Sequence, residues 1–154
     1  MNKIKNQHTL IFGATGFIGS NLLKRLIKSR IQVVAIVRTP EKVTLKSKYL
    51  TIVKGDLLEP SSYRQYLSGA KDIYYLVHAM GQDGSFEKIE QKQANELANV
   101  LTKKHKIIYL SGLGKPISEH IRSRQKVGDI FHNSQATSIE LRASIVLGAG
   151  SLSF

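Results

Sequence analysis

The chain has neither cysteine nor tryptophan among its 154 residues. Without cysteine there can be no disulfide, no thiolate zinc site and no cysteine nucleophile. No apolar run approaches the roughly 18 residues of a membrane span, and the basic start of the chain is followed by a strand pattern rather than a signal-peptide core. We therefore expect a cytoplasmic protein with no membrane partner. We also expect no metal site, because ligand spacings such as H-E-x-x-H are missing among the five histidines: His8, His78, His105, His120 and His132.

Acidic residues are scarce: there are 11 aspartates and glutamates against 23 lysines and arginines, for a formal net charge of +12. Glu41 is the only acidic residue before Asp56, and the same stretch is rich in cations: Lys24, Arg25, Lys28, Arg30, Arg38, Lys42, Lys46 and Lys48. Such a surface could attract nucleic acid or an anionic membrane, favour a phosphate-rich cofactor, or simply be solvated. The basic stretch has no interleaved aromatics and no nucleic-acid-binding motif, so nucleic acid is the less favoured partner.

Apolar, β-branched runs alternate with helical patterns along the chain. Six strands are predicted, at residues 9–12, 31–37, 49–53, 72–77, 106–110 and 138–146. Helical patterns occupy the connections: one after the first strand, a short one from residue 40, one from 60 to about 69, a long one through 86–101, and one over 118–132. This alternation predicts an α/β fold, a Rossmann-type doubly wound parallel sheet of order 3-2-1-4-5-6 with helices on both faces. We expect residues 1–154 to form a single domain.

A glycine-rich turn joins the first predicted strand to the first predicted helix. It is a G-x-x-G-x-x-G run, Gly13-Ala14-Thr15-Gly16-Phe17-Ile18-Gly19. In such a turn the first glycine permits the sharp exit from the strand, the second lets the backbone approach a pyrophosphate, and the third lets the helix pack closely on the sheet. The helix N-terminus then faces the phosphates. Within a complete βαβ unit this turn predicts a dinucleotide site, and a purely structural tight turn is the alternative.

The end of the second predicted strand bears on which dinucleotide is bound. An NAD site usually has an acidic residue there, which bonds the ribose 2′-hydroxyl. Here Arg38 occupies that region, and no carboxylate precedes Glu41. An arginine can make paired hydrogen bonds to a 2′-phosphate, so NADP is preferred over NAD. The alternative is that Arg38 is one more surface cation of a basic chain.

These residues give the sequence its resemblance to an atypical short-chain dehydrogenase/reductase, close to the NmrA-like and nucleoside-diphosphate-sugar epimerase-related proteins. The segments that carry it are Gly13–Gly19, Arg38, Gly55-Asp56-Leu57, Val77-His78-Ala79-Met80-Gly81, Tyr109-Leu110-Ser111-Gly112 and Leu141-Arg142-Ala143-Ser144. The resemblance implies that Asp56 accepts a hydrogen bond from the adenine amino group, that Leu57 lies beside the ring, and that the cofactor is lined by His78, Ala79 and Met80. Without the resemblance, Asp56 could simply cap a turn, and His78 could be an ordinary loop histidine.

The sequence departs from this family where its catalytic residues should lie. Family enzymes usually carry Tyr-x-x-x-Lys on the helix after the fifth strand, and the matching positions here are His120 and Arg124. His120 could donate a proton to a carbonyl, while Arg124 stays charged and could bond a ribose hydroxyl or phosphate. The alternative for His120 is an exposed polar residue. Ser111 is predicted to contact the cofactor, but the family's substrate-orienting hydroxyl lies slightly farther along, where Leu113 stands.

Length is the second departure, because related proteins continue beyond the sixth strand into a region that forms much of the substrate pocket. We expect either a minimal or truncated cofactor domain, or a site completed by a partner chain; an exposed sixth strand would also invite a homo-oligomer. Three functions follow. The first is an NADP-dependent oxidoreductase or epimerase-like enzyme with an unknown small-molecule substrate. The second is a non-catalytic NADP-binding redox sensor or partner-supporting protein, and the third is a basic binder of nucleic acid or anionic surfaces.

Overall fold

A computed structural model describes residues 7–78, 86–114, 118–144 and 146–148. Six strands form one sheet in which every pairing is parallel. The strands are β1 (His8–Phe12), β2 (Val33–Val37), β3 (Leu50–Lys54), β4 (Ala70–Tyr75), β5 (Lys106–Gly112) and β6 (Thr137–Ala143). Their spatial order is β3-β2-β1-β4-β5-β6, so the predicted Rossmann-type fold and strand order are confirmed.

In the described part of the chain, four helices and two short 3-10 turns connect the strands. The helices are α1 (Phe17–Lys28), α2 (Arg64–Leu67), α3 (Phe86–Ala98) and α4 (Glu119–His132), and the 3-10 turns are Pro40–Lys42 and Pro60–Ser62. The start of α4 is capped by Ser118, whose hydroxyl accepts a hydrogen bond from the Ile121 N–H at 3.3 Å. Both short turns begin with proline, whose fixed φ suits the first helical position.

The helix predicted from residue 60 to about 69 is instead a 3-10 turn followed by a single helical turn. The Ser62 hydroxyl donates to the Glu59 carbonyl at 2.6 Å and accepts from the Asp56 N–H at 3.1 Å. Tyr63 then leaves helical geometry, with φ −130°, and is fully buried. These local hydrogen bonds and the burial of one ring outweigh helix propagation here.

The central strands β1 and β2 are buried on both faces, as their continuous apolar runs predicted. On one face, Ile11 and the β2 residues Val33, Ala35 and Val37 pack against Leu23 and Leu26 of α1. On the other face the larger cluster lies beneath α2, α3 and α4 and includes Leu10, Phe12, Ile73, Tyr75, Tyr109, Val127 and Phe131. Neighbouring residues of a strand thus point into opposite layers of the core.

Within the described ranges, no helix is long and apolar enough to cross a membrane.

Candidate functional site

A cleft opens at the carboxyl ends of the central strands, where open α/β sheets bind ligands. It is formed by the connections that follow β1, β2, β3 and β4, together with one residue of α3. The lining residues are Phe12, Gly13, Thr15, Gly16, Ile36, Val37, Arg38, Gly55, Asp56, Leu57, Leu76, Val77, His78 and Gln93. The fold therefore brings together the glycine turn, Arg38, Asp56, Leu57 and His78, which are far apart in sequence.

The first and third glycines of the turn are required by the protein itself. Gly13 has φ +87°, and a Cβ there would lie 2.5 Å from the carbonyl oxygen of Leu76. A Cβ on Gly19 would overlap the Gly13 carbonyl oxygen. Only glycine lets the turn follow this path against β4 and lets α1 approach it.

Gly16 differs from these two glycines. It is the N-cap of α1 with extended backbone, φ −76° and ψ 168°, and a Cβ there would make only an ordinary contact, 3.5 Å from the Gly13 oxygen. Its own N–H donates to that oxygen at 3.1 Å. Because Gly16 is exposed and lines the cleft, its missing side chain leaves space on the ligand side rather than inside the protein.

The N-terminus of α1 faces this cleft without a side-chain cap and without an acidic residue in its first turn. Its first N–H groups are therefore available to an anion. Of the other predicted turn residues, Thr15 is exposed and lines the cleft, Ala14 is buried, and Phe17 and Ile18 are half-buried on the helix outside the lining. The backbone of the turn, more than its side chains, forms this part of the site.

Arg38 follows β2 directly and is exposed in the cleft wall. The Gly55 N–H donates to the Val37 carbonyl at 3.0 Å, which ties the end of β2 to the end of β3. In the part of the chain that the structure describes, no ion pair joins Arg38 to a carboxylate. Its guanidinium is thus free to meet an anionic ligand group.

Asp56 fits both interpretations that the sequence left open. One carboxylate oxygen, Oδ1, accepts the Leu58 N–H at 2.9 Å and caps the turn after β3, while the residue also lines the cleft. Leu57, only 5% exposed, packs in the core beside it. Asp56 and Leu57 therefore form a fixed corner of the cleft.

His78, which follows β4, combines a cleft position with a largely buried ring. Its Nδ1 lies 3.9 Å from Oε1 of Glu90, and its ring centroid is 6.3 Å from that of Tyr109. Burial, with a smaller contribution from the nearby Arg124 charge, lowers the pKa of His78 from 6.5 to about 4. His78 is consequently neutral at pH 7 and can offer a hydrogen-bond acceptor to a ligand.

The two positions that the resemblance matches to a catalytic tyrosine and lysine, His120 and Arg124, lie in different surroundings. Arg124 is half-buried, and its Cδ would be 3.4 Å from a Cβ on Gly112, so its side chain lies over the end of β5. His120 is exposed, with its ring stacked on Phe86 at a centroid distance of 4.6 Å. Ser111 is 2% exposed within β5. None of these three residues lines the cleft described above.

The predicted cofactor residues Ala79 and Met80 lie outside the described residues.

Among the described lining residues, Gln93 is the polar side chain that was not predicted from the sequence. It lies on the buried side of α3 and is 7% exposed. The sequence did contain a sign of this residue. Phe86, Ala94 and Leu97 follow helical spacing, and the polar residues Glu90 and Gln93 lie on the same face. The periodicity could not say what those polar groups face, because this depends on how α3 packs across the sheet.

Known sequences resemble the chain over most of its length. A sequence profile described as NAD(P)H-binding matches residues 13–145. A curated relative, the 2-alkyl-3-oxoalkanoate reductase of Shewanella oneidensis, is 28% identical over 112 residues, which are 70% of this chain and 29% of the relative. The chain thus spans less than a third of that relative's length.

Solved structures resemble the chain in fold. The Bordetella bronchiseptica enzyme WbmH, in complex with NAD+, has a TM-score of 0.74 at 16% identity, over 90% of this chain and 56% of that chain. A Rossmann-fold NAD(P)-binding protein from Shigella flexneri has a TM-score of 0.69 at 23% identity, over 88% and 66%. An Agrobacterium tumefaciens short-chain dehydrogenase/reductase superfamily protein with bound NAD has a TM-score of 0.73 at 13% identity, over 88% and 48%.

Proposed function

This chain belongs to the NAD(P)H-binding family and has a Rossmann fold, and we propose that it is a protein of the short-chain dehydrogenase/reductase type that binds NADP in preference to NAD. The observation that carries this preference is Arg38 in the wall of the same cleft as the glycine turn. Among the described lining residues the only acid is Asp56, and one of its oxygens is held by the Leu58 N–H. A guanidinium can make paired hydrogen bonds to a 2′-phosphate, which an acid at this place would repel.

Different parts of the cleft would bind different parts of the proposed cofactor. The N-terminus of α1 and the exposed backbone of Gly16 would hold the pyrophosphate, with Arg38 at the 2′-phosphate and Asp56 and Leu57 at the adenine. Ser111, and Ala79 and Met80 beyond His78, stay proposed contacts from the family resemblance. NADP supplies hydride transfer when bound, so an active protein would be an oxidoreductase or an epimerase-like enzyme.

For catalysis, we propose Arg124 as a contact to a ribose hydroxyl or a phosphate, and His120 as the proton donor. Arg124 supports this role because its half-buried side chain lies over the end of β5, close enough to influence the His78 pKa. His120 would have to turn from its stacking on Phe86 to reach a substrate carbonyl. An imidazole can carry and release a proton, as such a transfer requires.

One observation favours a second function, a non-catalytic NADP-binding protein that senses redox state or supports a partner. The ring of His120 is exposed and stacked on Phe86 rather than directed into the cleft. Both functions share the cofactor, and measurable turnover separates them. A binder of anionic surfaces through the exposed cations of α1 would instead lose affinity steeply with salt and ignore the nicotinamide.

The proposal is tested by calorimetric titration of the protein with NADPH and NADH at two salt concentrations. NADPH should bind more tightly, with a mild salt dependence. Arg38→Asp should weaken NADPH binding about tenfold to a hundredfold, because two charge-assisted hydrogen bonds are lost, and should change NADH binding little. Arg30→Asp is the matched control, since it makes the same charge change at the opposite end of β2. Equal losses in both variants would overturn the NADP preference, and no binding of either nucleotide would overturn the function.

A further inference from the structure

Gln93 places a polar amide in a largely apolar part of the cleft. Gln93 lines the cleft together with Phe12, Ile36, Leu57, Leu76 and Val77. It is only 7% exposed to solvent. Its side-chain oxygen, Oε1, is buried and has no hydrogen-bond partner among the described residues. A buried carbonyl oxygen left unpaired destabilises a fold, and native proteins rarely keep one without a reason.

The neighbouring residues indicate which ligand group this oxygen faces. Gln93 lines the same cleft as Arg38 and Asp56, which follow β2 and β3. In this fold the end of β2 meets the adenosine ribose of a dinucleotide. An amide oxygen can only accept, so its partner must be an N–H or O–H group; phosphate oxygens are excluded because they are acceptors themselves.

We propose that Gln93 is a cofactor-binding residue whose amide oxygen accepts a hydrogen bond from the adenosine half of the dinucleotide. The donor is the adenine amino group or a ribose hydroxyl. This inference rests on the proposed NADP-binding function and adds a recognition residue to it. Gln93 is thereby a specificity residue: a pocket that buries an unpaired acceptor disfavours any ligand that lacks the matching donor.

Gln93→Met separates this role from a structural one. Methionine has similar length and helix propensity but removes the unpaired oxygen, so the melting temperature of the ligand-free protein should stay equal or rise. The affinity for NADPH should fall about tenfold, by the loss of one hydrogen bond to a buried acceptor, and the rise in melting temperature on adding NADPH should shrink. The control is Gln91→Met, on the same helix, where the Gln91 amide bonds Glu87 at 3.0 Å; this variant should bind NADPH like the wild type.

Deamino-NADPH, in which hypoxanthine replaces adenine, identifies the donor. If wild-type protein discriminates against this analogue and Gln93→Met discriminates clearly less, the adenine amino group is the partner; the discrimination that remains would belong to Asp56. If Gln93→Met weakens both cofactors equally and Gln91→Met weakens neither, the partner is a ribose hydroxyl. Unchanged NADPH affinity in Gln93→Met, or a lower melting temperature of the ligand-free variant, overturns the inference while leaving the function intact. Failure of the wild type to bind NADPH or NADH would instead reject the function itself.

Discussion

Substitutions at two glycines of the turn, Gly16 and Gly19, distinguish what the fold requires from what ligand binding requires. At Gly19 a Cβ would overlap the Gly13 carbonyl oxygen, whereas at Gly16 it would lie at an ordinary 3.5 Å. Gly19→Ala should therefore cost the fold about 1–3 kcal/mol, since backbone atoms must shift. Gly16→Ala should cost less, about 0.5–1 kcal/mol, because alanine is a poorer N-cap than glycine, but it should weaken NADPH binding at least about tenfold.

Urea unfolding and calorimetric titration of the two variants measure these effects. The comparison uses the same substitution in the same turn, so chemistry and location are matched. If Gly16→Ala bound NADPH as tightly as the wild type, the close approach of a pyrophosphate to this residue would be wrong.

His78 should make the stability of the protein depend on pH. Burial keeps its folded pKa at about 4, below the ordinary 6.5, so between these values the unfolded chain binds more protons than the folded one. Stability is therefore fully present above pH 6.5 and is lost as the pH falls toward 4, by up to about 3 kcal/mol. Glu90, Arg124 and Tyr109 surround the ring and set this environment.

Urea midpoints recorded from pH 7 to pH 4 test the contribution of His78. His78→Gln should flatten the profile, because the titrating group is gone. His132→Gln, at an exposed site at the end of α4, should leave the slope unchanged. A profile that keeps its slope in His78→Gln would assign the titration to another group.

At the scale of elements, two polar side-chain contacts between α3 and α4 differ in burial. Ser123, fully buried, donates to the carboxylate of Glu90, which is 5% exposed. Glu87 and Lys126 form an ion pair nearer the surface. Ser123→Ala should lower the free energy of unfolding by about 1–3 kcal/mol, because a buried carboxylate loses a donor. Lys126→Met should have a much smaller effect, since exposed ion pairs contribute little.

Denaturant unfolding of the two variants gives the comparison directly. Because α4 also carries Arg124, loosening this helix should also raise the pKa of His78, by moving the Arg124 charge that contributes to its lowering. Equal destabilisation by both substitutions would mean that burial does not distinguish the contacts.

The elements themselves were predicted to different degrees. β1 and β2 were found almost as predicted because a strand covered on both faces is apolar throughout. The segment after β3 was predicted poorly, since hydrogen bonds of Ser62 and the burial of Tyr63 replaced a helix with a 3-10 turn. Local periodicity does not register such contacts.

At the scale of the whole molecule, the sheet ends at β6. This strand pairs with β5, and the described residues place no strand on its other side. Ile139 and Leu141, on the same face of β6, are 40% and 50% exposed. An unpaired edge with exposed apolar side chains favours association between chains, so we expect the isolated chain to self-associate as its concentration rises.

Sedimentation velocity over a hundredfold concentration range measures this association. Leu141→Lys should shift the chain toward the monomer, because a charge at a strand edge opposes pairing. The control is Lys106→Leu. Lys106 is the first residue of β5, away from Leu110, which pairs with Leu141, and its ammonium forms an ion pair with Asp72 at 3.1 Å. This variant should not reduce association. A wild-type chain that stays monomeric throughout would contradict the prediction.

The sequence by itself determined the strands and the glycine turn, because local periodicity and the conformational freedom of glycine encode them. It also determined the strand order, because alternating strands and helices follow the connection rules of a doubly wound parallel sheet. It also located Arg38 and Asp56 at strand ends, which parallel topology brings to one edge. Tertiary structure alone decided that Gln93 faces the cleft, that Arg124 lies over β5 and that His120 stacks on Phe86. Those placements depend on how α3 and α4 pack across the sheet. The burial that lowers the pKa of His78 is likewise a result of tertiary packing. A pattern along one chain contains neither.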